Sequence, residues 1–208
     1  MAKKPAKKAA RIDSLGELLS FTALLNKFSS IERVILIKNR RTRENDSEHS
    51  FQLAITAWYL INKDKLKLDT ELAIKYALVH DLVEAYAGDT PFFERSSTKH
   101  IHSTKEQREK KAAERLKKEF PRFPELHSLI TSYEKRKDPE SNFVYALDKI
   151  LPMMNIYLDG GRIWKQYEVT FDELVLAKTK KVVGSKEIKE YFEKFVSLLQ
   201  KNSKKVFN

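Results

Sequence analysis

The sequence predicts a single all-α bundle, and three observations carry that expectation. Apolar residues recur at helical spacing through most of the chain. The apolar–polar alternation of a half-buried strand never runs longer than four residues. Only 5 glycines and 6 prolines among 208 residues leave little turn punctuation for an all-β fold. A hydrophobic fraction of 41% suffices for a sizeable core, and a charged fraction of 33% suits long solvated helices. One domain is the simpler reading at this length. Residues 1–12 then form a disordered basic tail, and residues 13–208 the domain.

Ser14 with Glu17 has the pattern of a capping box, opening a helix to about Lys27 with Leu15, Leu18, Leu19 and Leu25 inward. Residues 28–46 are polar and basic apart from Val34-Ile35-Leu36-Ile37, and read as a turn or short helix followed by an ordered loop. A second helix starts near Asp46 or Ser47 and reaches about Asn62. Leu53, Ala54, Ala57, Trp58 and Ile61 repeat at helical spacing there, with His49 on the same stripe. Thr70 caps a helix through Ala87, which Gly88 ends. Thr104 with Gln107 opens a charged helix, and Pro124 starts another that runs to about Lys135. Asp138 and Pro139 suit the cap and first turn of a long helix ending at Gly160-Gly161, with Pro152 kinking it or removing one hydrogen bond. Thr170 with Glu173 opens one last-region helix, and Ser185, ahead of Ile188, Tyr191, Phe192 and Phe195, opens the other.

The absence of cysteine excludes disulfides, thiolate metal sites and cysteine nucleophiles. No apolar run approaches the roughly 20 residues that span a bilayer, and the N-terminus lacks an apolar signal-peptide core, so cytoplasm is the expected compartment and no membrane partner is expected. The formal charge is +11, and Lys3, Lys4, Lys7, Lys8 and Arg11 in the tail face no acid. Such an arm sticks weakly to polyanions. With no nucleic-acid motif in the chain, no specific nucleic-acid binding is expected.

Chemistry concentrates in two helical stretches. In ALVHDLVEAYAGDT, His80 and Glu84 are one turn apart, and Asp81 is rotated by roughly 100° from His80. Three ionisable groups among Leu78, Val79, Leu82 and Val83 are costly to bury unless paired or metal-bound. An internal His–carboxylate pair would account for two of them and leave Glu84 over. Asp148 repeats the conflict on the stripe Val144, Leu147, Leu151 of NFVYALDKILPMM. Two neutral imidazoles and two carboxylates make a hard nitrogen–oxygen site suited to one divalent ion of manganese, cobalt, iron, zinc or magnesium.

His49, His80-Asp81 and Asp148 match the H…HD…D pattern, and here the chain resembles the HD-domain phosphohydrolases. ENDSEHS, HDLVEAYAGDTP and YALDKILP look like segments of the HD-domain 5′-nucleotidases that act on deoxyribonucleoside monophosphates. REKKAAERL and ILPMMNIYLDGGRIWKQYEVT look like segments of related hydrolases, so the likeness covers roughly residues 15–200. The resemblance implies an HD-domain helical bundle with His49, His80, Asp81 and Asp148 as metal ligands. It implies Glu84 and Asp89 as the remaining functional carboxylates: Glu84 to orient water or shuttle a proton, Asp89 to meet a sugar hydroxyl or the leaving group. Arg33 is the nearest match to the phosphate-binding arginine of these nucleotidases, with Arg40, Arg41 and Arg43 as rivals. Val34 stands where relatives carry an aromatic residue, so sugar packing would differ. Trp164, after Gly160-Gly161-Arg162, either lines the pocket or packs behind a helix stop. His100 and His102 either supply a second metal or lie on the surface, while His127 reads as helix surface or packing.

The implied activity is hydrolysis of a nucleotide phosphate ester, best matched to a 5′-nucleotidase acting on (deoxy)nucleoside monophosphates. A deoxynucleoside triphosphate triphosphohydrolase or pyrophosphohydrolase is the chemical alternative, and a nonenzymatic nucleotide- or RNA-binding module the alternative of another class. The expected partner is a small nucleotide, with a homodimer possible through apolar faces near Phe192 and Phe195.

Overall fold

The structure, a computed structural model, describes residues 13–88 and 99–207, with only the backbone of 99–104. The tail 1–12, Asp89, and the side chains of His100 and His102 lie outside the described residues. The described residues form helices α1 (Ser14–Ser29), α2 (Asp46–Lys63), α3 (Thr70–Val79), α4 (Glu84–Ala87), α5 (Lys99–Glu119), α6 (Pro124–Lys135), α7 (Pro139–Leu158), α8 (Arg162–Gln166), α9 (Phe171–Val182), α10 (Lys186–Lys201) and α11 (Ser203–Val206), plus strands β1 (Glu32–Leu36) and β2 (Arg43–Asn45). None of these helices is long and apolar enough to cross a membrane.

Helix α7 is the axis of the bundle. The Asp138 side chain accepts from the Ser141 amide at 2.7 Å and Pro139 occupies the first turn, so the helix starts where the sequence places it. Phe143, Val144, Leu147, Ile150 and Leu151 are buried along it, against α2, α3, α9 and α10. Pro152 lies inside the helix and has no amide hydrogen, so it removes the helical bond whose acceptor is the Asp148 carbonyl. A second, smaller cluster joins Leu24 and Phe28 of α1 to Leu82, Val83, Leu116, Phe120, Leu126 and Ile130. Tyr76 and Ala77 belong to the first cluster and Leu82 and Val83 to the second, so the chain crosses from one core to the other between residues 77 and 82.

Several expectations need correction. Leu15, Leu18, Leu19 and Leu25 are exposed, because α1 packs at the bundle edge through Phe21, Leu24 and Phe28, with Phe21 set edge-on to Phe120 at 5.3 Å. Asp13 is the N-cap of α1, so the Ser14 capping box does not form. Trp58 is likewise exposed, on the outer side of α2. Asp69, not Thr70, caps α3 through the Leu72 amide at 3.0 Å. The helix expected to run unbroken to Ala87 is interrupted after Val79. There the amides of Leu82 and Glu84 bond three residues back, at 3.1 and 2.8 Å, instead of four. Helix α5 starts at Lys99, ahead of Thr104.

Residues 32–45 form an antiparallel hairpin rather than a helix or loop, with Glu32 opposite Asn45 and Leu36 opposite Arg43. Distant residues hold it. The Asn39 amide donates to Asp159 Oδ1 at 2.9 Å, and Arg162 Nη2 donates to the Arg40 carbonyl at 2.8 Å while pairing with Asp159. Gly161 makes this junction possible: at φ +76 an added Cβ would sit 2.0 Å from the Val206 carbonyl oxygen. The GGR segment is therefore a helix stop that clamps the hairpin and seats the C-terminal turn.

Candidate active site

His49 lies one turn into α2. Asn45 and Glu48 form a reciprocal capping box at 3.0 and 2.9 Å, which sets where the helix starts and so which way His49 points. The imidazole is fully buried, and its Nε2 is 3.0 Å from Asp148 Oδ1. His80 ends α3. Its Nδ1 lies 2.9 Å from the Ala77 carbonyl, which accepts only, so Nδ1 carries the proton and Nε2 is left as the lone-pair nitrogen. That Nε2 is 2.9 Å from Asp81 Oδ2 and 3.8 Å from Asp148 Oδ1, yet has no hydrogen-bond partner among the described residues. The two imidazole centroids are 5.4 Å apart.

Donor atoms of His49, His80 and Asp148 all lie within 4.8 Å of one another. Donors sharing one first-row ion at about 2.1 Å each stand about 3–3.5 Å apart, so the cluster fits a divalent metal. Against the cost of burial, Asp81 and Asp148 push His80 above its usual pKa, so its ring attracts the positive charge that a cation would supply. Burial pushes His49 below its usual pKa, which keeps it in the neutral form a metal requires. Burial works against the Asp148 charge, but Lys149 and the two imidazoles outweigh it and hold the carboxyl well below its usual range. Asp81 is also held low, by His80 and Arg33 against the cost of burial. His80 Nε2 is buried and faces both Asp81 and Asp148 without a well-aligned hydrogen bond, an arrangement that a shared cation would satisfy.

Asp81 links this cluster to a second one. Asp46, Asp81 and Glu84 also bring carboxylate oxygens within 4.8 Å. Cations are already placed there: Arg33 Nη1 is 3.1 Å from both Asp46 Oδ1 and Asp81 Oδ2, and Lys105 Nζ is 3.3 Å from Glu84 Oε1. His80, Asp81 and Asp148 open on a cleft of about 1260 Å³, whose walls include Lys105, Tyr133 and Lys149.

The chain matches the family described as HD domain over residues 25–189. It belongs to the HD-domain family. A crystal structure of a predicted metal-dependent phosphohydrolase from Magnetospirillum magnetotacticum MS-1 superposes with a TM-score of 0.75 at 30% identity, covering 91% of this chain and 96% of that one. A conserved protein from Pyrococcus furiosus shares the fold, with a TM-score of 0.59 at 23% identity over 88% of this chain and 99% of that one. Among curated proteins, the chain is 28% identical to the 5′-deoxynucleotidase HDDC2 of Bos taurus over 133 residues, 64% of this chain and 62% of that protein. The Homo sapiens protein of the same name matches at 28% over 64% and 63%. The aligned region thus spans less than two thirds of these relatives' length.

Within this HD domain the four residues expected as ligands come together, with Asp81 at the edge of the set. Glu84 is displaced from the His80 face that an unbroken helix implies. The tightened turn at residues 82–84 moves it to the Asp46–Asp81 side. Trp164 is not at the cleft: it is fully buried, stacked on Phe207 with centroids 4.9 Å apart. His127 Nε2 bonds the Phe120 carbonyl at 2.9 Å, a packing role. Arg33 reaches the site, but Glu44, Asp46 and Asp81 surround its guanidinium.

Sequence reading missed Glu44, Asp46, Lys105 and Lys149. Burial raises Glu44 to about 7, against the opposing charge of Arg33. Lys149 bonds Asp148 Oδ2, and despite the cost of burial its pKa is raised by that carboxylate. Only Lys149 had a local signal, its place next to Asp148 on a mostly apolar helix.

Proposed function

We propose that this HD domain is a metal-dependent phosphohydrolase that cleaves the phosphate ester of a nucleotide, with 5′-(deoxy)nucleoside monophosphates as the preferred class. The carrying observation is the convergence of His49, His80 and Asp148, with His80, Asp81 and Asp148 opening on a large cleft. His49, His80, Asp81 and Asp148 would hold one divalent ion of manganese, cobalt, iron, zinc or magnesium. When bound, such an ion polarises a phosphoryl oxygen and makes hydroxide available near neutral pH.

The chain's own groups supply the rest. Lys105 and Lys149 stand on the cleft walls, where ammonium groups offset the charge of the phosphoryl oxygens. Glu84 is the proton carrier: its carboxylate is buried, with Lys105 Nζ 3.3 Å from its Oε1. Arg33 pairs with Glu44, Asp46 and Asp81, so its first role is to orient Asp81.

Product analysis tests the reading. Deoxynucleoside monophosphates should yield inorganic phosphate and nucleoside. The cleft exceeds the roughly 300–1000 Å³ typical of small-molecule sites, which favours one second reading, a triphosphohydrolase or pyrophosphohydrolase. Release of triphosphate or pyrophosphate from nucleoside triphosphates, with monophosphates inert, would establish that instead.

A homodimer belongs to the same proposal, on a different face from the one expected. Phe192 and Phe195 are buried in the core. Phe51, Ile55 and Trp58 of α2 are exposed instead, and Phe51 with Leu25 and Leu78 borders an apolar cleft of about 350 Å³. Light scattering should give twice the 24.3 kDa chain mass, and Trp58→Asp should halve it. A wild-type monomer at micromolar concentration would refute this part.

A further inference from the structure

His80 and His49 face the candidate metal position differently, and the difference points to a residue with no assigned role. His80 is oriented by a backbone carbonyl on its Nδ1. His49 Nδ1 is buried and has no hydrogen-bond partner among the described residues. Glu44 Oε2, on strand β2 just ahead of α2, is in the same condition. These two atoms face each other at 3.7 Å, less than 1 Å beyond a hydrogen bond.

The Glu44 carboxylate is held from its other sides. Its Oε1 accepts from Asn155 Nδ2 at 3.3 Å, and its Oε2 is 3.5 Å from Arg33 Nε. Asn155 is itself locked to Gln52 by a reciprocal amide pair at 2.7 and 3.2 Å. The carboxylate is therefore aimed at His49 by a polar frame running from α7 to α2. An imidazole that ligates through Nε2 carries its proton on Nδ1, and a buried N–H without an acceptor is destabilising.

Resting on the metal reading above, we propose that Glu44 accepts the Nδ1–H of His49 and so fixes Nε2 as its metal-facing nitrogen. Glu44 is then a positioning residue, and its effect appears in metal affinity before it appears in turnover. Losing such a partner typically costs about 10–100-fold in metal affinity.

The test uses the full chain and measures Mn²⁺ binding by calorimetry for wild type, Glu44→Ala and Glu44→Gln. The expected result is a 10–100-fold weaker Kd for Glu44→Ala, with recovery to within a few-fold in Glu44→Gln, whose amide oxygen still accepts. Nitrogen-15 imidazole spectra of zinc-loaded wild type should show His49 protonated at Nδ1 and coordinated at Nε2. A His49 ring coordinated through Nδ1 would rule out Glu44 as its acceptor even if Glu44→Ala fails to fold. Wild-type affinity in a folded Glu44→Ala, or a His49 ring protonated at Nε2, would overturn the assignment of Glu44 alone. Wild type that binds neither Mn²⁺ nor Zn²⁺ would overturn the metal reading and this inference with it.

Discussion

Asp148→Asn should lower metal-dependent phosphate release by on the order of 10³-fold or more, because an ion held by this cluster would supply both the electrophile and the activated water. Asp148 is the member of the cluster that touches everything else. Its Oδ1 is 3.0 Å from His49 and 3.8 Å from His80, and its Oδ2 bonds Lys149. Asparagine has nearly the same shape and can still hydrogen-bond His49, through its oxygen or its amide N–H according to the imidazole tautomer, so the helical circular dichroism should be unchanged. Only the charge is removed, and a hard cation depends on that charge for affinity. Metal content after dialysis is the paired measurement. Full activity in a metal-depleted Asp148→Asn protein would show that turnover does not pass through this cluster.

Glu84→Gln should reduce kcat by about 10²–10⁴-fold, the usual contribution of a positioned acid or base. Metal affinity should stay within a few-fold of wild type, because Glu84 groups with Asp46 and Asp81 rather than with His49, His80 and Asp148. Its surroundings fit a proton carrier. The residue is 3% exposed, and Lys105 Nζ lies 3.3 Å from its Oε1. One limb of the pH–rate profile should disappear with it. Collapse of metal binding in Glu84→Gln would instead make it a ligand.

The metal cluster was legible because three of its members contradict their surroundings. His49, His80 and Asp148 sit on faces where helical spacing demands apolar residues, and the cost of burying them singly is what exposes a shared purpose. Glu44 and Asp46 gave no such contrast. Acids just before or inside the first turn of a helix are already explained by capping and by the helix dipole, although both prove buried. Lys105 was hidden for the opposite reason: it is one of many charges on α5, and only the packing of α4 against α5 sets it beside Glu84.

The errors in the fold have similar causes. The short apolar run Val34–Ile37 carries too little alternation to identify a strand. The hairpin is held by Asp159 and Arg162, more than a hundred residues away. The leucines of α1 offer more than one apolar stripe, and contact with Phe120 from α5's end decides between them. An indole after a Gly-Gly turn looks the same whether it lines a pocket or fills a core. Phe207, outside that segment, draws Trp164 inward. The break after Val79 matters most for function, since no glycine or proline marks it. It turns Asp81 and Glu84 toward Arg33 and Lys105 rather than stacking Glu84 above His80.

The most direct test of the metal centre is the anomalous scattering of crystals of this protein grown with Mn²⁺. The expected result is a peak about 2.0–2.3 Å from His49 Nε2, His80 Nε2, and carboxylate oxygens of Asp81 and Asp148. A map with no peak at that position, or with its only peak among Asp46, Asp81 and Glu84, would contradict it.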